Sequence, residues 1–478
     1  MLFDTINFGI FLPIVFLLYW FVARKTVNNQ NLLLLLASYF FYSCWDKRFL
    51  FLLVASTLLD YFAGLLVNRS ATVSHKKRWM ILSVCINLSL LGFFKYYNFF
   101  VSSFSEMLSK FGIANSDFTL NIFLPIGISF YTFHGLSYII DIYNGKIAPE
   151  KNFVNYAVFV SFFPLLVAGP IERATHLLPQ IKVKREFDYS RAVDGLRQIL
   201  WGLFKKLVIA NHCAVYTNII FNDSTIFTSS TLFMGALIFA IQVYADFSGY
   251  TDIAIGTAKL FGIELLQNFS FPYFSRNLTE FWRRWHISLS SWFRDYLYIP
   301  LGGNRNGKLI TIRNTFIIFL VGGFWHGASW TFIVWGFVNA LYLVPSILFP
   351  DKTIMTDVVA KGKLFPTLME LAGMLRTFVL IALVCIFFRS QDLAHAITYF
   401  YGMGSKTLFT LPALRPIALF FLIGFFICVE WVGRNDKHAL QNFAFNKPKV
   451  IRLAFYYFLI LAIYLSKVPE QQFIYFQF

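Results

Sequence analysis

The sequence predicts an all-α polytopic membrane protein, and three observations carry that prediction. Apolar residues fill 58% of the 478 positions, only 14% are charged, and the mean hydropathy is +0.62. A soluble domain has no interior large enough to hide that much apolar surface, whereas lipid solvates it directly. The apolar residues also fall in long runs, with Lys and Arg gathered in the short loops between them. Finally, 60 phenylalanines and 11 tryptophans supply bulky rings of the kind that fill a bilayer and settle at its interfaces.

A spanning helix needs about 20 apolar residues. Runs at 8–23, 49–67, 79–100, 120–142, 207–221, 232–245, 328–349, 370–388, 414–431 and 450–466 meet or approach that length, and 31–45, 153–170 and 311–324 are shorter candidates. Roughly 10–13 membrane segments, about 11 of them full crossings, are expected. The first run is preceded by Asp4 and followed by Arg24-Lys25, the reverse of a secretory signal, so it reads as a retained anchor with its N-terminus outside. Basic clusters around Arg69–Arg78, Arg173–Arg197, Arg276–Arg313 and Arg434–Arg452 mark the inner face, and alternation then leaves the C-terminus outside. One crossing breaks this alternation. The stretch 153–170 contains Pro164 and Gly169-Pro170, and a broken or re-entrant segment there restores the count. Irregular backbone at that depth needs protein cover or a water-filled cavity.

The net charge of +17 is accounted for by these loops and does not call for a nucleic-acid partner. The five cysteines (Cys44, Cys85, Cys213, Cys385 and Cys428) are scattered through mostly apolar runs. They read as small buried hydrophobes, with no metal or disulfide spacing. No internal repeat pairs one half of the chain with the other, which counts against a transporter.

Two segments carry the chemistry. Residues 277–308 have an Asn277 or Thr279 cap, a helical repeat of Phe281, Trp285, Leu289, Trp292 and Tyr296, and a stop at Pro300 with Gly302-Gly303. A helix at the inner interface explains the Trp and Arg residues but not His286. In 321–330, His326 sits in an apolar run among Gly322, Gly323 and Gly327. An ionisable side chain at membrane depth faces a cavity or a specific partner, and the glycines let a substrate or another backbone approach. A satisfied core histidine is the plainer reading of His326, and the second histidine shifts the balance toward catalysis. Imidazole titrates near neutrality, so it suits removal of a proton from a hydroxyl nucleophile. No HExxH, CxxC, GxGxxG or Walker pattern appears.

The residues at this point resemble the membrane-bound O-acyltransferase superfamily, in particular its bacterial branch containing the alginate O-acetylation membrane subunit. The D-alanyl-transferring protein of teichoic acid synthesis is a cousin. The motifs are L-P-I-G-I-S-F-Y-T-F at 124–133, S-F-F-P-L-L-V-A-G-P-I at 161–171, Y-A-D-F-S-G-Y-T-D at 244–252, F-W-R-R-W-H-I-S-L-S-S-W-F-R-D-Y-L-Y-I-P-L-G-G-N-R at 281–305 and G-G-F-W-H-G-A-S-W at 322–330. The resemblance implies a single acyltransferase domain over 1–478 with its catalytic core at about 120–350. It implies a ring of helices, with re-entrant and interfacial ones, around a thin centre, a donor funnel from the cytoplasm and an acceptor opening outside. It makes His326 the catalytic residue and His286 the second active-site position. It also implies acetyl-CoA or an acyl carrier thioester as donor, no tightly bound cofactor or metal, and extracytoplasmic acetyltransferase or polysaccharide-handling partners.

Asp246, Asp252, Trp325 and Arg284 are candidates for lining a channel, although helix-to-helix hydrogen bonding is the plainer role for the two aspartates. His134, Asp141 and Arg173 read as packing residues, and His75 and His438 as solvated. The ending P-E-Q-Q-F-I-Y-F-Q-F resembles the aromatic, tyrosine-containing tail of a small partner peptide in D-alanyl transfer systems. Tyr475 is therefore a candidate acyl relay, with an aromatic interface anchor as the plainer alternative. The reading as a whole is an inner-membrane O-acetyltransferase acting on an extracytoplasmic polysaccharide. A transporter or flippase of a polysaccharide or acylated substrate is the alternative.

Overall fold

The computed structural model describes residues 1–112, 118–167, 169–349, 357–443, 445, 447–466, 468–469 and 471–474, and every regular element among them is helical. Among the described residues, seven helices are long and apolar enough to cross a membrane: Ile6–Lys25, Lys47–Arg69, Val73–Lys110, Ser229–Leu260, Lys308–His326, Trp330–Leu348 and Leu368–Arg389. A shorter apolar helix, Ile417–Val432, joins them. The protein is a multi-pass integral membrane protein, and its described residues form two compact units.

The first unit comprises Met1–Leu196 and Ala254–Leu266. It contains α1 (Ile6–Leu17), α2 (Val27–Ser43), α3 (Lys47–Arg69), α4 (Val73–Leu91), α5 (Tyr97–Lys110), α6 (Ile128–Tyr143), α7 (Phe153–Ser161), α8 (Phe163–Leu166), α9 (Ala174–Lys182) and the start of α10 (Tyr189–Leu203). Thr26, Asp46, Thr72 and Asn152 cap their helices by accepting from backbone N–H groups of the first turn. The run expected at 120–142 becomes helical only at Ile128. Pro125 and Gly127 interrupt it, Gly127 having φ 76° and lying where a Cβ would strike the Leu166 carbonyl. The break expected near Pro164 is present: α7 stops at Ser161, and Pro164 sits in the first turn of α8. Two arginines counted above as loop charges are buried, Arg173 and Arg185. Arg185 donates to Tyr19 Oη at 2.6 Å, Asn31 Oδ1 at 2.6 Å and the Ile181 carbonyl at 3.0 Å. It holds helices together and is no topology marker.

The second unit comprises Arg197–Ile253 and Gln267–Phe478. Its helices are the rest of α10, α11 (Asn211–Asn222), most of α12 (Ser229–Leu260), α13 (Leu278–Arg284), α14 (Ile287–Phe293), α15 (Lys308–His326), α16 (Trp330–Leu348), α17 (Leu368–Arg389), α18 (Leu393–Met403), α19 (Ile417–Val432) and α20 (Lys449–Leu465). The amphipathic stretch after Asn277 is two short helices rather than one, broken at Trp285-His286. The segment expected at 311–324 is a full 19-residue span ending on His326. His438, expected in solvent, is 2% exposed, whereas His75 is exposed and bonded to Thr72. Cys213 and Cys385 are buried as expected, but Cys44, Cys85 and Cys428 lie on the protein surface, where an apolar run faces outward.

Candidate active site

His326 closes α15, and its position follows from how α15 meets α16. A Cβ at Gly323 would strike the Phe332 carbonyl, one at Gly336 the Phe319 carbonyl, and one at Gly327 the Phe332 ring. The glycines therefore serve the approach of two backbones, one of the two uses their spacing allowed. The tight hairpin turns the His326 ring inward, 7% exposed. Trp325, Trp335 and Phe388 surround it at 5.0, 5.2 and 5.3 Å between centroids, all steeply inclined. Trp335 and Phe388, with Trp285 and Cys385, line a small space of about 30 Å³ beside the imidazole. That is space on the scale of one water molecule or a very small group.

His286 reaches the same region from the other side. It is the residue before α14, in the left-handed conformation at φ 44°, ψ 52°. A bulky non-glycine residue adopts it only when its surroundings enforce it. Here Ile287 N–H donates to the Asn268 carbonyl at 2.9 Å, Ser288 Oγ to Asn268 Oδ1 at 2.5 Å, and Ser270 N–H to the Arg284 carbonyl at 3.0 Å. This lacing presents a buried ring, 2% exposed, 4.7 Å from Phe247 and 6.0 Å from Trp325. Trp325 is thus a ring neighbour of both imidazoles.

Arg284 is occupied elsewhere. It donates to Glu280 at 2.9 Å and to the Ser270 carbonyl at 3.3 Å, and Glu280 also accepts from Arg276 at 3.0 Å. Asp246 and Asp252 belong to a buried charge layer of the second unit. Lys206 pairs with Asp246 at 2.7 Å and Lys205 with Asp252 at 2.6 Å. Glu430 accepts from Trp201 at 2.8 Å and from Tyr244 at 2.6 Å. The two lysines sit in a π-helical turn, Phe204–Ala210, following a close crossing at Gly202 and Gly249. Lys205, Lys206 and Glu430 were missed in the sequence. Their signal is a charge at the edge of or inside an apolar run, with an opposite charge in another such run.

The chain near its end enters this layer. Ile474 N–H donates to Asp246 at 2.8 Å, Lys206 donates to the Gln471 carbonyl at 3.1 Å, and the Phe473 ring lies 4.2 Å from Tyr250 and 6.1 Å from Phe247. Phe247 is also the neighbour of His286. Tyr475 lies outside the described residues. Among those described, no group of three or more His, Cys, Asp or Glu side chains has the arrangement of a metal site.

The fold and the site define a multi-pass helical membrane protein with two buried histidines near one tryptophan. The sequence comparisons narrow this class. Residues 147–353 match the profile of the membrane-bound O-acyltransferase family. The peptidoglycan O-acetyltransferase of Helicobacter pylori is 39% identical over 82% of this chain and 77% of its own length. A probable alginate O-acetylase AlgI of Pseudomonas aeruginosa is 40% identical over 73% and 68%. The teichoic acid D-alanyltransferase of Bacillus subtilis is 29% identical over 47% and 59%. The chain belongs to the membrane-bound O-acyltransferase family. It is an acyltransferase.

Proposed function

We propose that the protein moves an acetyl group from a cytoplasmic thioester, acetyl-CoA or an acyl carrier, to hydroxyls of an extracytoplasmic polysaccharide. His326 is the general base and His286 orients or stabilises the reacting groups. The observation that carries this reading is that the buried rings of His326 and His286 both neighbour Trp325, with a small space of about 30 Å³ beside His326. In the reaction the His326 imidazole takes the hydroxyl proton and the oxygen attacks the thioester carbonyl. The C–S bond then breaks, and the thiolate leaves with the proton returned by the imidazolium. The products are an O-acetyl ester and a free thiol. The acceptor class is supported by the relatives, a peptidoglycan O-acetyltransferase and a probable alginate O-acetylase.

The same reading has all of 1–478 working as one acyltransferase domain with its core at about 120–350, a ring of about 11 crossings in the cytoplasmic membrane, and both termini outside. Its donor is a substrate, and no cofactor is held tightly. Extracytoplasmic polysaccharide-handling proteins take part. The fastening of Gln471, Phe473 and Ile474 beside Phe247 favours a second route, in which the Tyr475 phenol receives the acetyl group before the acceptor does. Proteoliposomes given acetyl-labelled donor inside and oligosaccharide outside test the reading. Labelled ester outside with thiol released inside supports it. Thiol release without any ester product on either side removes the transfer step. A Tyr475→Phe variant with full transfer removes the phenol route.

A further inference from the structure

One cluster of the second unit is rich in positive charge and poor in partners. Phe443 packs on Phe455 of α20 at 4.4 Å, which lays the segment before α20 against that helix. Phe445, two residues further on, then carries two guanidinium groups. Arg197 of α10 lies 4.6 Å from its centroid and Arg452 of α20 lies 5.1 Å from it. A ring face attracts a cation without neutralising it. Among the described residues neither arginine has an ion pair, and the Nε of each is buried without a hydrogen-bond partner. Tyr456 lies one turn after Arg452 on the same face of α20, and its Oη is likewise buried and unpartnered.

The helix concentrates the charge further. Lys449 and Arg452 stand in the first turn of α20, Lys447 lies just before it, and that turn holds no acidic residue. Cations are disfavoured there, because the N-terminal end of a helix is already positive. The carboxylates nearest to the two arginines in sequence are engaged elsewhere, Asp194 by Lys259 at 2.6 Å and Asp436 by Asn442 at 2.8 Å. Two buried N–H groups, a phenol and a positive helix end call for an anion with several oxygens, as a phosphate diester has. The neighbouring surface narrows the choice. Leu453, Tyr457, Ile460 and Tyr464 form an exposed stripe along α20 that starts beside Arg452. From Leu453 to Tyr464 it rises about 16 Å, close to the hydrocarbon depth of one leaflet. A soluble anion makes no use of that stripe, whereas an anionic lipid brings a phosphate for the arginines and acyl chains for the stripe.

We infer that Arg197, Arg452 and Tyr456 hold the phosphate of an anionic glycerophospholipid, with its chains lying along α20. Phe445 sets the two guanidinium groups, and the phosphate joins α10 to α20. Binding is read without turnover, so the assignment stands or falls apart from the acyl-transfer reaction. The full chain, delipidated in detergent, is offered equal amounts of dioleoyl phosphatidylglycerol and dioleoyl phosphatidylcholine, which share their chains and differ in headgroup charge. Native mass spectrometry reads the ratio retained. Wild type should prefer the anionic lipid by at least about tenfold, as expected for charge-assisted hydrogen bonds. In R197Q/R452Q the ratio should fall to near one. Each single arginine variant, and Tyr456→Phe, should lower it by at least about threefold, and these are read in its place if the double variant does not fold. K77Q/R78Q, which removes two exposed cations at the start of α4, should keep the ratio. Phosphatidylglycerol should also raise the thermal midpoint of the wild type, and inorganic phosphate at the same concentration should not. Wild type without a preference, arginine variants that keep it, a control pair that loses it as fully, or an equal thermal rise with inorganic phosphate each overturns the assignment.

Discussion

His286 stands where two demands meet, one from the backbone and one from the ring. Its φ of 44° is a conformation that asparagine also tolerates, while its imidazole faces Phe247 and Trp325. A His286→Asn variant should keep the turn and elute as folded protein, yet lose acetyl transfer by at least about a hundredfold, the lower end for an acid–base group. Unchanged transfer would reduce the residue to a turn former. Phe388 sets a different limit, since its ring packs on His326 and walls the small void. Shortening it in Phe388→Leu should raise the rate with propionyl relative to acetyl donor by roughly tenfold, the order of one methylene of pocket discrimination. Competition between the two donors reads this ratio directly. That both histidines would be held inside the protein was legible in the sequence, because each sits in an apolar or aromatic run. The left-handed turn was not. A histidine with positive φ leaves no mark in composition, and the ring spacing Phe281, Trp285, Leu289 reads straight through the break.

At the scale of elements, the hairpin of α15 and α16 fixes where His326 sits. Gly336 faces the Phe319 carbonyl, and there is no side chain in between that can give way. A Gly336→Ala change should therefore cost about 1–3 kcal/mol, seen as a lower thermal midpoint in detergent, and should depress transfer by displacing His326. A neutral result would mean that the two helices have slack. The sequence showed that glycines here permit a close approach, and the structure shows that a backbone makes that approach. Proline marked the break at Pro164 correctly because its ring and missing N–H act locally. The late start of α6 at Ile128 was hidden within an apolar run, since Ile126 and Leu124 look the same in a helix or an extended strand of chain.

Across the whole molecule, hydropathy identified the class of protein but averaged away its buried charges. Lys205 and Lys206 sit at the edge of a long apolar run, where they read as an end of a helix, and only the fold brings Asp252 and Asp246 to them. Arg185 was misread for the same reason: a window average cannot tell a solvated loop cation from one bonded to Tyr19 and Asn31. Asp246 joins Lys206 and the Ile474 N–H, so it ties the charge layer to the segment near the chain end. An Asp246→Asn variant leaves the Lys206 charge without its carboxylate in a buried place. Loss of about 3–5 kcal/mol is expected, measured as early unfolding, together with faster proteolysis between 466 and 474. Wild-type stability in that variant would mean that Lys206 is held by other groups. The proposed reaction depends on the His326 imidazole acting as a base. The most direct test is the rate of acetyl transfer by a His326→Gln variant whose thermal midpoint and size-exclusion profile match the wild type. A rate lower by about a thousandfold is predicted, within the range for removing a general base. A rate within a few fold of wild type would contradict the account.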